Sequence, residues 1–284
     1  MSLSDTSPSA TLFAGLGRLG ARAAALRRAA GGEVVGLNRS GTARSGIPAL
    51  AADLTRALPE PLPPVRAVVI TLAPPARDAN VYRQTYVDGV RHLLAALPQS
   101  ARRVIYVSST VVYGEDRGGW IDLETAADGK SERARVQLEA ERLVADAAPE
   151  TCALRLGGIY GPGRDALIRR VKDAKPVQQR PPLYTNRVHE LDAARLINHL
   201  LDLEEVPPVV LGVDHEPAPV YDVSAWLAAQ LGAAPPAGKA GSTSGKRIRN
   251  TATLKSGFTF TYPDYRAGYG ALISDAAGDM MADL

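Results

Sequence analysis

The stretch GLGRLG sets Gly15, Gly17 and Gly20 in G-x-G-x-x-G spacing, directly after an apolar run at 10–15 and at the start of a helical stretch. Each glycine there has a physical use. Gly15 permits a tight turn, Gly17 lets the backbone approach a pyrophosphate, and Gly20 lets the helix pack on its strand. Arg18 and Leu19 complete the loop, and the helix N-terminus offers N–H groups and a positive dipole end to phosphate oxygens. The chemistry this predicts is dinucleotide binding. About 20 residues further on, an NAD site holds the ribose 2′-hydroxyl with an acid. Here the second apolar run ends in Asn38, Arg39 and Ser40. A cation with small polar neighbours suits a 2′-phosphate, so NADP is expected, with NAD as the alternative.

Other chemistries find less support. The single cysteine, Cys152, allows no internal disulfide and stands in an apolar run, as a buried small hydrophobe would. That cysteine usage points to a reducing, cytoplasmic setting. The 4 histidines show no ligand-like spacing, so no metal is expected. A net charge of +3 with interspersed signs argues against a nucleic-acid partner. No apolar run approaches a membrane span, and residues 1–9 read as a flexible leader without an apolar signal core.

The elements that must position these residues follow from the apolar pattern. With 284 residues and 45% apolar content, the chain can bury a sizeable core. Short continuous apolar runs at 10–15, 33–38, 48–54, 67–73, 103–110 and 151–161 alternate with helical stretches at 79–97 and 131–147, among others. Strands buried on both faces have this signature, which predicts an α/β fold, a doubly wound parallel sheet of Rossmann type. After about residue 162 the rhythm changes and prolines cluster. Helices are expected at 189–203 and 220–232, short strands at 207–213 and 258–263, and an exposed loop at 235–247. The predicted division is a nucleotide-binding domain at 10–162 and a small mixed lobe at 163–284, with the sheet completed by segments of the latter.

Several motifs together resemble the extended short-chain dehydrogenase/reductases, the group of nucleotide-sugar epimerases and dehydratases. VIYVSSTVVYG (104–114) is similar to that family's fifth strand and turn, and LRLGGIYGPGR (154–164) to its nicotinamide loop. YVDGVRHLLAAL (86–97), NRVHELDAARLI (186–197) and the tail from KRIRN (246–250) onward fit the same pattern. Within the family, the likeness is to an atypical branch of NAD(P)-dependent epimerases. The resemblance implies cofactor contacts from Asp53 and Leu54, from Leu72, Ala73 and Pro74 along the segment TLAPP, and from Gly158, Ile159 and Tyr160. It also implies hydride transfer between a hydroxyl carbon and the nicotinamide, with Ser109 on the substrate oxygen.

The family's helix carries a Tyr and, four residues later, a Lys; a phenol needs such a cation to act as a base near neutral pH. Aligned on Glu141, those two places hold Arg133 and Gln137, and Tyr86 replaces the family's Asn. Three possibilities stay open. Another phenol substitutes, with Tyr160 best placed and Tyr113 and Tyr86 behind it. Arg133 acts electrostatically, holding a carboxylate or phosphate of the substrate. Or nothing is catalysed and the fold senses cofactor state.

Tyr113, Arg164 and Arg187 are expected to contact substrate beside Ser109, with His189 and Asp192 near them, and several cations there would suit an anionic ligand. The expectation is an NADP-binding, epimerase/dehydratase-like oxidoreductase acting on a nucleotide sugar or similar small polar molecule. The alternatives are a non-catalytic NADP(H)-binding regulatory or redox-sensing protein and a ketone or aldehyde reductase. Leu93, Leu94, Leu97, Leu138 and Leu143 offer an apolar patch for a homodimer.

Overall fold

The computed structural model describes residues 9–76 and 78–282, so the expected leader lies outside the described residues except for Ser9. In chain order the first elements are β1 (Thr11–Ala14), α1 (Arg18–Ala29), β2 (Val34–Asn38), β3 (Ala49–Ala51), β4 (Ala67–Ile70), α2 (Ala79–Arg83), α3 (Gly89–Ala95) and β5 (Arg103–Ser109). β6 (Arg117–Ile121), α4 (Glu132–Ala145), β7 (Glu150–Leu156), β8 (Gly158–Tyr160), α5 (Ala166–Lys172), β9 (Val177–Arg180), β10 (Tyr184–Thr185), β11 (Arg187–His189) and α6 (Glu190–Asp202) follow. The chain ends with β12 (Val209–Gly212), β13 (Ala218–Pro219), α7 (Val220–Gln230), β14 (Gly238–Ala240), β15 (Gly245–Ile248), α8 (Thr251–Lys255) and α9 (Tyr265–Ala282). Two compact units result. Of the described residues, the first takes 9–76, 78–114, 126–155 and 193–210; the second takes 115–125, 156–192 and 211–282.

A seven-stranded sheet in the order β12-β7-β5-β4-β1-β2-β3 organises the first unit. β1 pairs in parallel with β2 on one side and β4 on the other, Thr11 facing both Val34 and Ala67. All residues of β1 and β4 are buried, which is why, Thr11 apart, their sequences are apolar without alternation. This is the doubly wound Rossmann arrangement, and the order reverses between β1 and β4. Leu12, Val68, Ile70 and Val104 pack with Val90 and Leu93 of α3 and with Ala140 and Val144 of α4. Leu93 is fully buried, and Leu94, Leu97 and Leu143 pack on the same core, so these leucines cover their own sheet.

The sequence reads 79–97 as one regular helix, but a π-helical segment at 84–88 separates α2 from α3. α4 forms as expected: Ser131 caps it by accepting the Ala134 N–H at 3.1 Å, and Glu132 stands favourably in its first turn. Arg103, 9% exposed, donates to the carbonyls of Leu200, Leu201 and Leu203 at the end of α6 and pairs with Glu150, so its buried charge is fully employed.

In the second unit β13-β10-β15-β6 form a sheet, and β11 pairs with β8 and β14 with β9. Four sequence expectations are corrected here. The loop at 235–247 contains β14 and the start of β15. The segment 258–263 is not a strand: the N–H groups of Thr261 and Tyr262 each donate to the Asp192 carboxylate at 2.8 Å instead of to a neighbouring strand. The linker after β5 contains β6, whose Trp120 pairs across to Arg247. The run 151–161 divides at Gly157 into β7 and β8, and β8 pairs with β11.

Candidate functional site

A cleft of about 270 Å³ opens in the first unit at the C-terminal ends of β1, β2 and β4, the place where an open parallel sheet receives ligands. Its floor is the turn between β1 and α1. Gly15 has φ +97°, and a Cβ there would press 2.8 Å from the Thr71 carbonyl oxygen. A Cβ on Gly20 would overlap the Gly15 carbonyl and the Thr71 hydroxyl, and that hydroxyl donates to Gly15 O at 2.6 Å. Gly17 differs: nothing lies within 4 Å of where its Cβ would be, and the residue lines the cleft. No side chain caps α1 and no acid stands in its first turn. A bare backbone facing open space beside a helix N-terminus is the cradle a diphosphate needs.

The cleft wall at β2 carries Asn38 and Arg39, as the sequence suggested, and also Arg44, which it did not. Asn38 donates to Thr42 O at 2.8 Å, and Ser40 donates to Asn38 at 3.2 Å and to Thr42 at 2.9 Å. These two residues therefore shape the turn at 38–42, and Ser40 is not among those lining the cleft. Arg44 is anchored by backbone bonds with Ile47 and by its own guanidinium, which donates to Leu16 O at 3.1 Å. Seen from sequence, Arg44 lacked any signal, since it comes six residues after the end of β2 and only the turn returns it to the cleft.

Asp53, Leu54, Leu72 and Ala73 also line the cleft, whereas Pro74 does not and Pro75 does. Two hydrogen bonds from Thr55 hold the Asp53 carboxyl below its ordinary value. Arg18, Leu19 and Gly20 are not among the residues lining the cleft; Arg18 is exposed, and Leu19 and Gly20 are buried. Gly158, Ile159 and Tyr160 form β8 in the second unit.

The residues singled out for catalysis are dispersed. Ser109 accepts the Val111 N–H at 3.2 Å and so starts the short 3₁₀ turn after β5. Ser108 points the other way and donates to Glu141 at 2.5 Å. Glu141 pairs with Arg155 through bonds of 2.6 and 3.1 Å, and Arg155 donates to the Tyr113 hydroxyl at 2.6 Å. Tyr113 is 1% exposed, so the substrate contact expected of it meets a closed interior. Gln137, 3% exposed, accepts the Tyr106 hydroxyl at 2.6 Å. Arg133 is exposed, and its guanidinium stacks over the Tyr82 ring, 5.1 Å from the centroid.

Tyr160 is a packing residue. Its ring lies 4.3 Å from that of Tyr269 and 5.3 Å from His189, and its hydroxyl is buried against Gly268 with no hydrogen-bond partner among the described residues. Burial, with Asp214 nearby, pushes this phenol far above its ordinary value, which opposes a base role. Arg187 is 5% exposed and stacks 5.5 Å from Tyr265, and Arg164 lies 3.6 Å from the Glu190 carboxylate. These two arginines do not form the open cationic mouth that the sequence suggested. Burial raises the Cys152 thiol to about 12, consistent with an inert hydrophobe. Among the described residues no His, Cys, Asp and Glu cluster could hold a metal, and no helix is long and apolar enough to cross a membrane.

A glycine turn at the switch point of a doubly wound sheet, with a bare helix end above it, defines a dinucleotide-binding α/β protein. No family model and no curated protein matches the chain. Among solved structures, a Methylobacillus flagellatus protein classed with the NAD-dependent epimerase/dehydratases is 34% identical, over 95% of this chain and 100% of that one, with a TM-score of 0.80. The chain belongs to the NAD-dependent epimerase/dehydratase family. Two more distant structures share the fold. MoeE5 in complex with UDP-glucuronic acid and NAD is 21% identical over 95% of this chain and 100% of that one, TM-score 0.79. The human epimerase family protein SDR39U1 with NADPH is 17% identical over 91% and 97%, TM-score 0.77.

Proposed function

We propose that the protein binds a nicotinamide dinucleotide in the cleft of the first unit, prefers NADP to NAD, and oxidises or reduces a hydroxyl-bearing carbon of a small polar, anionic substrate such as a nucleotide sugar. The observation that carries this is that an unobstructed Gly17 backbone, Arg39 and Arg44 line one cleft, and that β2 ends in Asn38, with Arg39 next, and not in an acid. When bound, the cofactor supplies a reversible hydride acceptor. The residues of this chain do the rest. Gly15, Gly17 and the start of α1 hold the diphosphate, Asp53 and Leu54 the adenine end, and Leu72 and Ala73 the segment beyond. Ser109, partly exposed at the end of β5, holds the substrate oxygen, and Arg133 attracts its negative charge.

A second reading, a regulator that responds to cofactor state without turnover, is favoured by one observation. Gln137, which the sequence resemblance aligns with the family's Lys, is uncharged and already bonded to Tyr106. One experiment separates the two. Protein loaded with NADP⁺ or NADPH is mixed with UDP-glucose, UDP-glucuronic acid and 9,10-phenanthrenequinone, and absorbance at the nicotinamide band is followed. Hydride transfer that falls in Ser109→Ala supports the enzyme. Tight NADP binding without transfer to any of the three supports the regulator.

A further inference from the structure

We propose that the segment 39–47 is a clamp formed in advance for the 2′-phosphate of the dinucleotide, that Arg44 brings the charge, and that Arg28, in the last turn of α1, is the positioning residue that holds the clamp in place. The inference rests on the NADP reading above and adds the contact that sets its geometry.

Arg44 and Ile47 close a two-residue hairpin. The Arg44 N–H donates to the Ile47 carbonyl at 3.1 Å, and the Ile47 N–H donates to the Arg44 carbonyl at 2.9 Å. The central residues, Ser45 and Gly46, have φ of +51° and +73°, the signs that a type I′ turn requires. Glycine adopts this conformation freely. Serine keeps it only where its surroundings impose it, and such backbone collects at ligand clamps.

Three ties impose it here. Ile47 is fully buried. The Arg44 guanidinium donates to the Leu16 carbonyl in the glycine turn at 3.1 Å. The Arg28 guanidinium donates to the Gly46 carbonyl at the tip of the hairpin. Arg28 is exposed and makes no ion pair with a described residue, so its bond serves the hairpin and not an acid.

The two cleft arginines therefore differ. Arg39 is exposed and makes no hydrogen bond with a described residue; its charge acts on the Asp53 carboxyl. Asp53 is the one acid among the described residues lining the cleft, and Thr55 occupies it through bonds of 3.1 and 2.8 Å. Arg44 is fixed at its backbone and at its guanidinium. With one N–H spent on Leu16, its planar fork keeps further donors for a phosphate. A group ordered before the ligand arrives loses little freedom on binding, so Arg44 gives the site its geometry and Arg39 adds charge.

Calorimetry with adenosine 2′,5′-bisphosphate, adenosine 5′-monophosphate, NADP⁺ and NAD⁺ tests this without turnover. It is run in about 0.3 M salt, where distant charge is screened. Arg28→Ala leaves every cleft-lining residue in place. It should weaken the bisphosphate and NADP⁺ about three- to tenfold, while the monophosphate and NAD⁺ change less than about twofold. Arg28→Lys, which keeps a donor for the Gly46 carbonyl, should recover part of the loss. Ser45→Asn installs the Asn-Gly pair that a type I′ turn favours and should hold or tighten the bisphosphate; weaker binding there overturns the role of the hairpin. A loss shared equally by all four ligands in Arg28→Ala, with or without a lower melting temperature, shows a merely structural role and overturns the inference. Wild-type affinity for the bisphosphate in Arg28→Ala overturns it too and leaves the proposed function standing. If the wild-type protein binds NAD⁺ as tightly as NADP⁺, the NADP reading itself fails and takes this inference with it.

Discussion

Gln137 accepts the hydroxyl hydrogen of Tyr106 at 2.6 Å in the interior of the first unit. A buried, uncharged amide is thus satisfied by a phenol that burial holds well above its ordinary value. Tyr106→Phe should cost about 1–3 kcal/mol, since the Gln137 oxygen keeps only Ser108 at 3.5 Å. Urea denaturation checks this, and an unchanged midpoint would show that water takes the vacated place.

Glu141 and Arg155 form a second buried tie, their side chains 9% and 10% exposed. Arg155→Met leaves the Glu141 charge without its partner and should cost about 3–5 kcal/mol. Joint replacement of both by apolar residues should cost less than the single change. A double-mutant cycle in urea measures the difference.

Burial lifts the Asp214 carboxyl from 3.8 to about 8, against the opposing pull of Arg187. The folded state then holds a proton that the unfolded chain releases near its ordinary value. Its contribution to stability is fully present below about pH 4 and is lost as pH rises through about 8. Asp214→Asn keeps an acceptor for the Glu216 N–H. Its melting temperature relative to wild type should therefore rise from pH 5 to pH 9. A difference independent of pH would show that Asp214 is ionised throughout.

Gly17 and Gly20 should respond differently to the same methyl group. Gly17→Ala has open space around its Cβ, so the protein should melt normally while NADP affinity drops about tenfold or more. Gly20→Ala meets the Gly15 carbonyl and should lower the melting temperature itself. Calorimetry and thermal melts on both variants make the comparison.

Cofactor choice should follow the two cleft arginines. Arg44→Ala and Arg39→Ala each remove a charged donor worth about 1.5–3 kcal/mol toward a phosphate. Each should weaken NADP by roughly ten- to a hundredfold while NAD changes little. Equal affinities of wild-type protein for NAD and NADP would refute the preference at the outset.

Local pattern was enough for the nucleotide half of the chain. β1 and β4 are short, buried throughout and apolar except for Thr11, so burial imprints itself on consecutive residues. The glycine turn is equally legible, because Gly15 and Gly20 are demanded by contacts with the backbone a few residues away and with Thr71. The second unit is different. β14 and β15 are glycine-rich and polar, and they become strands only because β9, β10 and β6, far away in sequence, supply hydrogen-bond partners. Phe258–Pro263 alternates like a strand, yet its amides go to Asp192. The fate of the chemical residues also depends on packing. Arg44 reaches the cleft because a turn brings it back, Tyr160 leaves the list of bases because Tyr269 and Gly268 bury it, and Arg133 stacks on Tyr82 from a helix far off in sequence. Periodicity records which face of an element is covered; which side chains then share a space is decided by contacts between distant segments, and these leave no mark on neighbouring residues.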